Sequence, residues 1–219
     1  MVFFDASSFC DDGSEVAQRY VRHHDYPTAS GKDVLCRLLR YREFHVSIPL
    51  LLIRRSFLEE IQLPLEEGIA LEDMIYAFGL YVMADRVAYL PEALYRRRYR
   101  PGSVMSTPNW SFKFHCACVV YEKVRDFLLN SQYAAQPELL GYLQDRVLNV
   151  IEYYGKMPRE EKAKQRKRYK ALLEDVKSHG YYGGTDVKMR CYGYFPWFVY
   201  KVYEKTVGRL FGTKGGVTA

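Results

Sequence analysis

The sequence predicts a mixed α/β front half followed by a helical rear half. Up to about residue 107, strand-length apolar runs (residues 1–4, 49–53 and 86–90) alternate with helical periodicity, most clearly in Leu71, Ile75, Phe78 and Val82. Beyond Trp110 every apolar pattern has helical spacing. The 219 residues are 48% hydrophobic and 16% aromatic, enough for one substantial core with a helical appendage and too apolar for disorder over most of the length.

Element by element, residues 1–4 read as a short buried strand, and Asp11-Asp12-Gly13 as a turn. Residues 14–24 suit a weak helix or an extended loop. Ser30 opens a helix to Leu39 with Val34, Leu35, Leu38 and Leu39 as its apolar stripe. The run 49–53 is expected to be a buried strand. A short helix follows over 57–61, with Ser56 as its cap and Glu59 in the capping-box position. A helix is expected over 72–83, then a strand over 86–90 ended by Pro91-Glu92, and a second strand over 94–100 ended by Pro101-Gly102.

The rear half divides into helices over 111–129, 137–154, 160–176 and 196–211. Their apolar residues include Phe112, Cys116, Val119 and Val120 in the first, and Leu140, Leu143, Val147 and Ile151 in the second. The expected organisation is therefore residues 1–107, a helical region 108–211, and a tail 212–219.

The net charge of +6 permits attraction to an anionic surface without requiring one. Basic residues concentrate in residues 156–170, either a solvated helix face or a contact with a membrane or polyanion. Nucleic acid is not expected as a partner, because no aromatic interleaving, zinc spacing or RNA-binding signature accompanies the cluster. The five cysteines are scattered, Cys116-Ala117-Cys118 has no second ligand pair, and free thiols in a reducing cytoplasm are expected. No apolar run reaches the roughly 18 residues of a membrane span, so a soluble or peripheral protein is expected.

Two groups could carry chemistry. Glu72 and Asp73 open an apolar helix, where acidic side chains complement the helix dipole. Asp73 could instead act as a general base toward a hydroxyl nucleophile. In the run Leu94-Tyr95-Arg96-Arg97-Arg98-Tyr99-Arg100, strand alternation puts Arg96, Arg98 and Arg100 on one face. Guanidinium groups there could hold a diphosphate, or could simply protect a solvent-facing edge. The following Gly102-Ser103-Val104-Met105 could close over a ligand or merely connect.

The run LLLIRRSFLEEIQLPLEEGIALEDMIYAFGLYVMADRVAYLPEALYRRRYRPGSVMST, residues 50–107, resembles the second half of a family 2 glycosyltransferase domain of the capsular and exopolysaccharide branch. The stretch MVFFDASSFCDDG…YPTASGKDVLCRLL resembles the segment after that family's metal-binding motif. The resemblance implies an incomplete GT-A, Rossmann-like sheet. It implies transfer of a sugar from a nucleotide-sugar donor to a polysaccharide or lipid-linked acceptor hydroxyl at the inner membrane face, with Mg²⁺ or Mn²⁺ in the intact family. By motif, Asp73 matches the catalytic base and Glu72 its acidic neighbour. Arg98 and Arg100 match the basic strand near the donor diphosphate, and Ser103 the closing loop.

The same resemblance places the nucleotide-binding half and its DxD motif before Met1, so Asp11 and Asp12 are not expected to ligate metal. The chain is then expected to be inactive without a separate N-terminal half. The alternative is a non-catalytic module docking on a membrane or a partner enzyme.

Overall fold

The computed structural model describes residues 1–14, 16–99, 109–129 and 136–180. In chain order the elements are β1 (Val2–Cys10), α1 (Gly31–Arg40), a 3₁₀ turn (Ile48–Leu50), β2 (Leu51–Leu52), α2 (Arg55–Ile61), α3 (Glu72–Met83) and β3 (Ala88–Tyr99). The helices α4 (Trp110–Leu129), α5 (Pro137–Lys156) and α6 (Arg159–Ser178) follow. The fold is mixed α/β, as the sequence predicts, with a sheet ordered β2-β1-β3. β1 is antiparallel to β2 and parallel to β3.

Three strand expectations change. β1 does not stop at Phe4 but continues to Cys10, because β3 pairs along its whole length. The run 49–53 is not one strand. Pro49 has no N–H and suits the first turn of a 3₁₀ turn, which leaves only Leu51 and Leu52 to pair. Leu50 is buried, whereas Leu52 is 68% exposed.

The expected break at Pro91-Glu92 is absent. Phe4 lies opposite Leu90, Asp5 opposite Ala93 and Ala6 opposite Tyr95, so the register shifts and the proline sits in a bulge that spares its missing donor. The two expected strands are thereby one. The turn at Asp11-Asp12 is present, with Gly13 at φ +73°. The segment after it has no helix, so the loop alternative holds.

α1 begins where Ser30 predicts, the Ser30 hydroxyl oxygen accepting from the Asp33 amide at 3.2 Å. Val34, Leu35 and Leu38 are buried and Leu39 partly so. Gly31 is dictated by packing: its amide donates to the Ala84 carbonyl at 2.8 Å, and a Cβ there would lie 2.1 Å from the Tyr81 carbonyl oxygen. An Ala29–Val87 bridge closes the same junction.

α2 starts earlier than expected. Arg54 occupies the cap position with no side-chain bond, so Ser56 is not the cap. The Arg55–Glu59 pair, at 2.8 Å, takes the place of the expected capping box. α3 has the expected bounds, but burial extends beyond one stripe. Ala77 through Val82 are all buried, and Ile75 is only partly so.

The described residues fall into two compact units, residues 1–99 with 127–129 in the first and 109–126 with 136–180 in the second. In the second, Tyr154 and Tyr169 stack at 3.8 Å and Phe114 packs on both. Asp175 of α6 accepts from the Tyr121 hydroxyl and Arg125 of α4. The inward face of α4 runs through Phe114, Ala117, Cys118, Tyr121 and Val124, with Cys116 and Val120 also buried. Phe112 falls off that face and is 37% exposed. On α5 the buried residues are Leu139, Tyr142, Leu143, Val147, Val150 and Ile151, and Leu140 is displaced to the margin.

The helix expected over 196–211, the tail 212–219 and Cys191 lie outside the described residues. Cys10, Cys36, Cys116 and Cys118 are not joined by disulfides. No helix among the described residues is long and apolar enough to cross a membrane.

Candidate functional site

β1 and β3 are adjacent and parallel, so the chain between them forms a crossover whose last helix is α3. The Ala88 amide donates to the Met1 carbonyl, and Met83 therefore lies near the amino ends of both strands. Glu72 and Asp73 occupy the opposite end of α3, about 15 Å away along the helix axis. Leu71 precedes them without a side-chain cap, leaving the first-turn amides to the carboxylates.

Asp73 is only partly exposed. Burial, and then the adjacent Glu72 charge, push its carboxyl up to about 6 from an ordinary 3.8, against the pull of the Met74 and Asp73 amides. The result is a carboxylate mostly ionised at pH 7 yet a stronger base than a free aspartate, the balance a general base requires.

The arginines are arranged as the strand predicts, but each described one has a partner within its own unit. Arg98 donates from Nε to Asp11 Oδ2 at 2.9 Å. Arg96 lies over the Phe9 ring at 4.8 Å. Arg97, on the other face, lies over Tyr20 and Tyr99. Arg98 and Asp11 are both 56% exposed, so an incoming anion would compete with a solvated ion pair. Arg100 and Ser103 lie outside the described residues.

Asp11 is held by Arg98, and Asp12 accepts from the Ser14 amide and hydroxyl. Among the described residues no group of three or more His, Cys, Asp or Glu is placed to hold a metal ion. A shallow cleft of about 530 Å³ lies at the carboxyl end of β1, between Ser8, Phe9, Cys10 and the loop from Gly13 to Gln18. It contains neither Asp73 nor Arg98.

The strongest electrostatic feature went unread in the sequence. Asp5, Arg22 and Glu43 are all more than 90% buried. Arg22 Nη1 donates to Asp5 Oδ1 at 2.8 Å and to the Phe4 carbonyl at 3.0 Å, and Nε donates to the Glu43 carbonyl. The Tyr89 hydroxyl completes Asp5 at 2.8 Å, and the Tyr26 hydroxyl completes Glu43 at 2.6 Å. Glu43 also receives the His23 amide and the His24 ring.

Burial raises the Glu43 carboxyl, but the donors from Tyr26, His23 and His24 outweigh it and bring the group down to about 2. Burial, with Glu43 or Asp5 beside them, pushes both phenols well above the tyrosine range, so they remain donors. With its charges closed to solvent and mutually satisfied, this network fastens β1 to the loop before α1 and to the chain after it. One sequence signal pointed there: Asp5 shares the strand face of Phe3, a charge where an apolar residue is expected.

Compared with known proteins, the chain matches no family model, no curated protein and no solved structure.

Proposed function

We propose that this chain supplies the acceptor side of a sugar transfer from a nucleotide-sugar, with Asp73 as the base. The resemblance of residues 50–107 to family 2 glycosyltransferases motivates the reading, and the state of the Asp73 carboxyl carries it. A base for this reaction must be ionised at neutral pH and basic enough to take a proton as an acceptor hydroxyl attacks the anomeric carbon. A carboxyl at about 6, in the first turn of a helix, meets both conditions.

Glu72 acts through charge, keeping the Asp73 proton affinity high. Arg98, with Arg100 and Ser103, would draw the donor diphosphate, Arg98 exchanging Asp11 for phosphate oxygens. Mg²⁺ or Mn²⁺, where the reaction uses it, would act on the donor diphosphate, and Asp73 handles the acceptor proton.

The test is sugar transfer to a saccharide acceptor with Mg²⁺ or Mn²⁺ supplied, using the chain alone and combined with a donor-binding half. Asp73→Asn is expected to lower the rate by about 10²-fold or more, with the fold retained. Equal rates for both proteins, or no transfer in either setting, would overturn the reading.

A further inference from the structure

α6 carries eight lysines and arginines between Arg159 and Lys177, and the fold separates them into two populations. Lys162 donates to the Gly155 carbonyl, Lys164 pairs with Glu161, and Arg168 reaches Glu122 and His115. Arg159, Arg166, Lys167, Lys170 and Lys177 do none of this. All five are exposed, and they form no ion pair among the described residues.

At 3.6 residues per turn these five fall within an arc of about 100°, along a line of about 27 Å. The opposite face carries Leu172 and Val176, both buried. The packing thus fixes which way the stripe points. The acids sharing that side of the helix are Glu160 and Glu174, both exposed, so the face remains cationic.

We propose that this outward face of α6 is a docking surface for an anionic lipid membrane, independently of the transferase reading. The occupant follows from charge and shape. A convex helix ridge has no concave cradle for a single phosphate. It bears no aromatic ring between its cations on which an unpaired base could stack. A planar anionic surface engages such a ridge along its whole length, and long Lys and Arg side chains adapt to mobile headgroups. Ala163 is the one apolar residue along the stripe, so nothing on it inserts into the acyl region. Adsorption through this face is therefore electrostatic and yields to salt.

The experiment is co-sedimentation of the full chain with phosphatidylcholine vesicles, with and without about one third phosphatidylserine. Five cations less two acids predict roughly a hundredfold stronger partition onto the anionic vesicles in about 0.1 M salt, lost in about 1 M salt. The combined variant Arg166→Gln, Lys167→Gln, Lys170→Gln is expected to lose most of that preference. A control with the same change in charge, Arg19→Gln, Arg54→Gln, Arg55→Gln, alters exposed residues of the other unit and is expected to keep it.

Circular dichroism checks that both variants fold. The proposal is overturned by equal binding to neutral and anionic vesicles, by binding that survives high salt, or by equal losses in the two variants. Capture on heparin without any binding to anionic vesicles overturns it too, and assigns the stripe to polyanions in solution.

Discussion

Replacing Asp73 by Asn should make the protein more stable at neutral pH, and the gain should vanish in acid. The carboxyl lies at about 6 in the folded chain against 3.8 when unperturbed. At 1.36 kcal/mol per tenfold change, that difference corresponds to about 3 kcal/mol. Asp73 keeps part of its surface in water, and screening reduces the figure to about 2 kcal/mol.

The sign follows from linkage. The folded state holds this proton more tightly than the unfolded chain does. The cost of ionising Asp73 is therefore absent below about pH 4, grows between pH 4 and 6, and is complete above 6. Asparagine removes the charge while nearly preserving shape. Urea denaturation of both proteins from about pH 3.5 to 8 measures the difference. The variant should match the parent at the acid end and exceed it by about 2 kcal/mol at pH 7.5. A difference that does not vary with pH, or a variant less stable at neutrality, would refute the reasoning. In that case Asp73 is an ordinary helix-dipole carboxylate.

The remaining predictions concern the contacts that hold β1, α1 and α3 together. Arg22→Met leaves Asp5 buried without its cation and the Glu43 carbonyl without its donor, and should cost about 3–5 kcal/mol in urea denaturation. A loss below about 1 kcal/mol would show that the network opens to water. Gly31→Ala drives a methyl group into the Tyr81 and Ala84 carbonyls, both backbone atoms, and should cost about 3 kcal/mol or more. A variant within 1 kcal/mol of the parent would place α1 and α3 farther apart. His45 is held down to about 4 by burial and then by the Arg22 charge, and its Nε2 has no hydrogen-bond partner. Its contribution is therefore present above pH 6.5 and lost as pH falls from 6.5 toward 4. His45→Gln should remove about 1–2 kcal/mol of that acid-side loss, read from paired urea curves at pH 5 and pH 7.5.

Sequence and structure agree where local chemistry is decisive. The Ser30 cap and the turn at Asp11-Asp12 follow from side chains acting on neighbouring backbone, and α3 from the helical spacing of its apolar residues, so a short window contains the cause. β3 was legible only in pieces. Pro91 signals an end in isolation, and the bulge that absorbs it exists only because β1 lies alongside. The length of β1 has the same non-local origin.

For the candidate site, the sequence indicated Asp73 through its position but not its raised proton affinity, which comes from burial by the surrounding fold. It indicated the alternation of Arg96, Arg97 and Arg98 but not their partners. Asp11 lies 87 residues from Arg98 along the chain, and parallel pairing brings the two together. The Asp5–Arg22–Glu43 network was illegible for the same reason, since its members meet across sequence separations of 17 and 21 residues.

The most direct test of the transferase reading is the pH dependence of kcat/KM for sugar transfer. If Asp73 is the base, the rate should rise with pH along a limb centred near 6, and Asp73→Asn should remove both the limb and most of the rate. A limb near 4, or one near 6 that persists in Asp73→Asn, would contradict the account and assign the proton to another group.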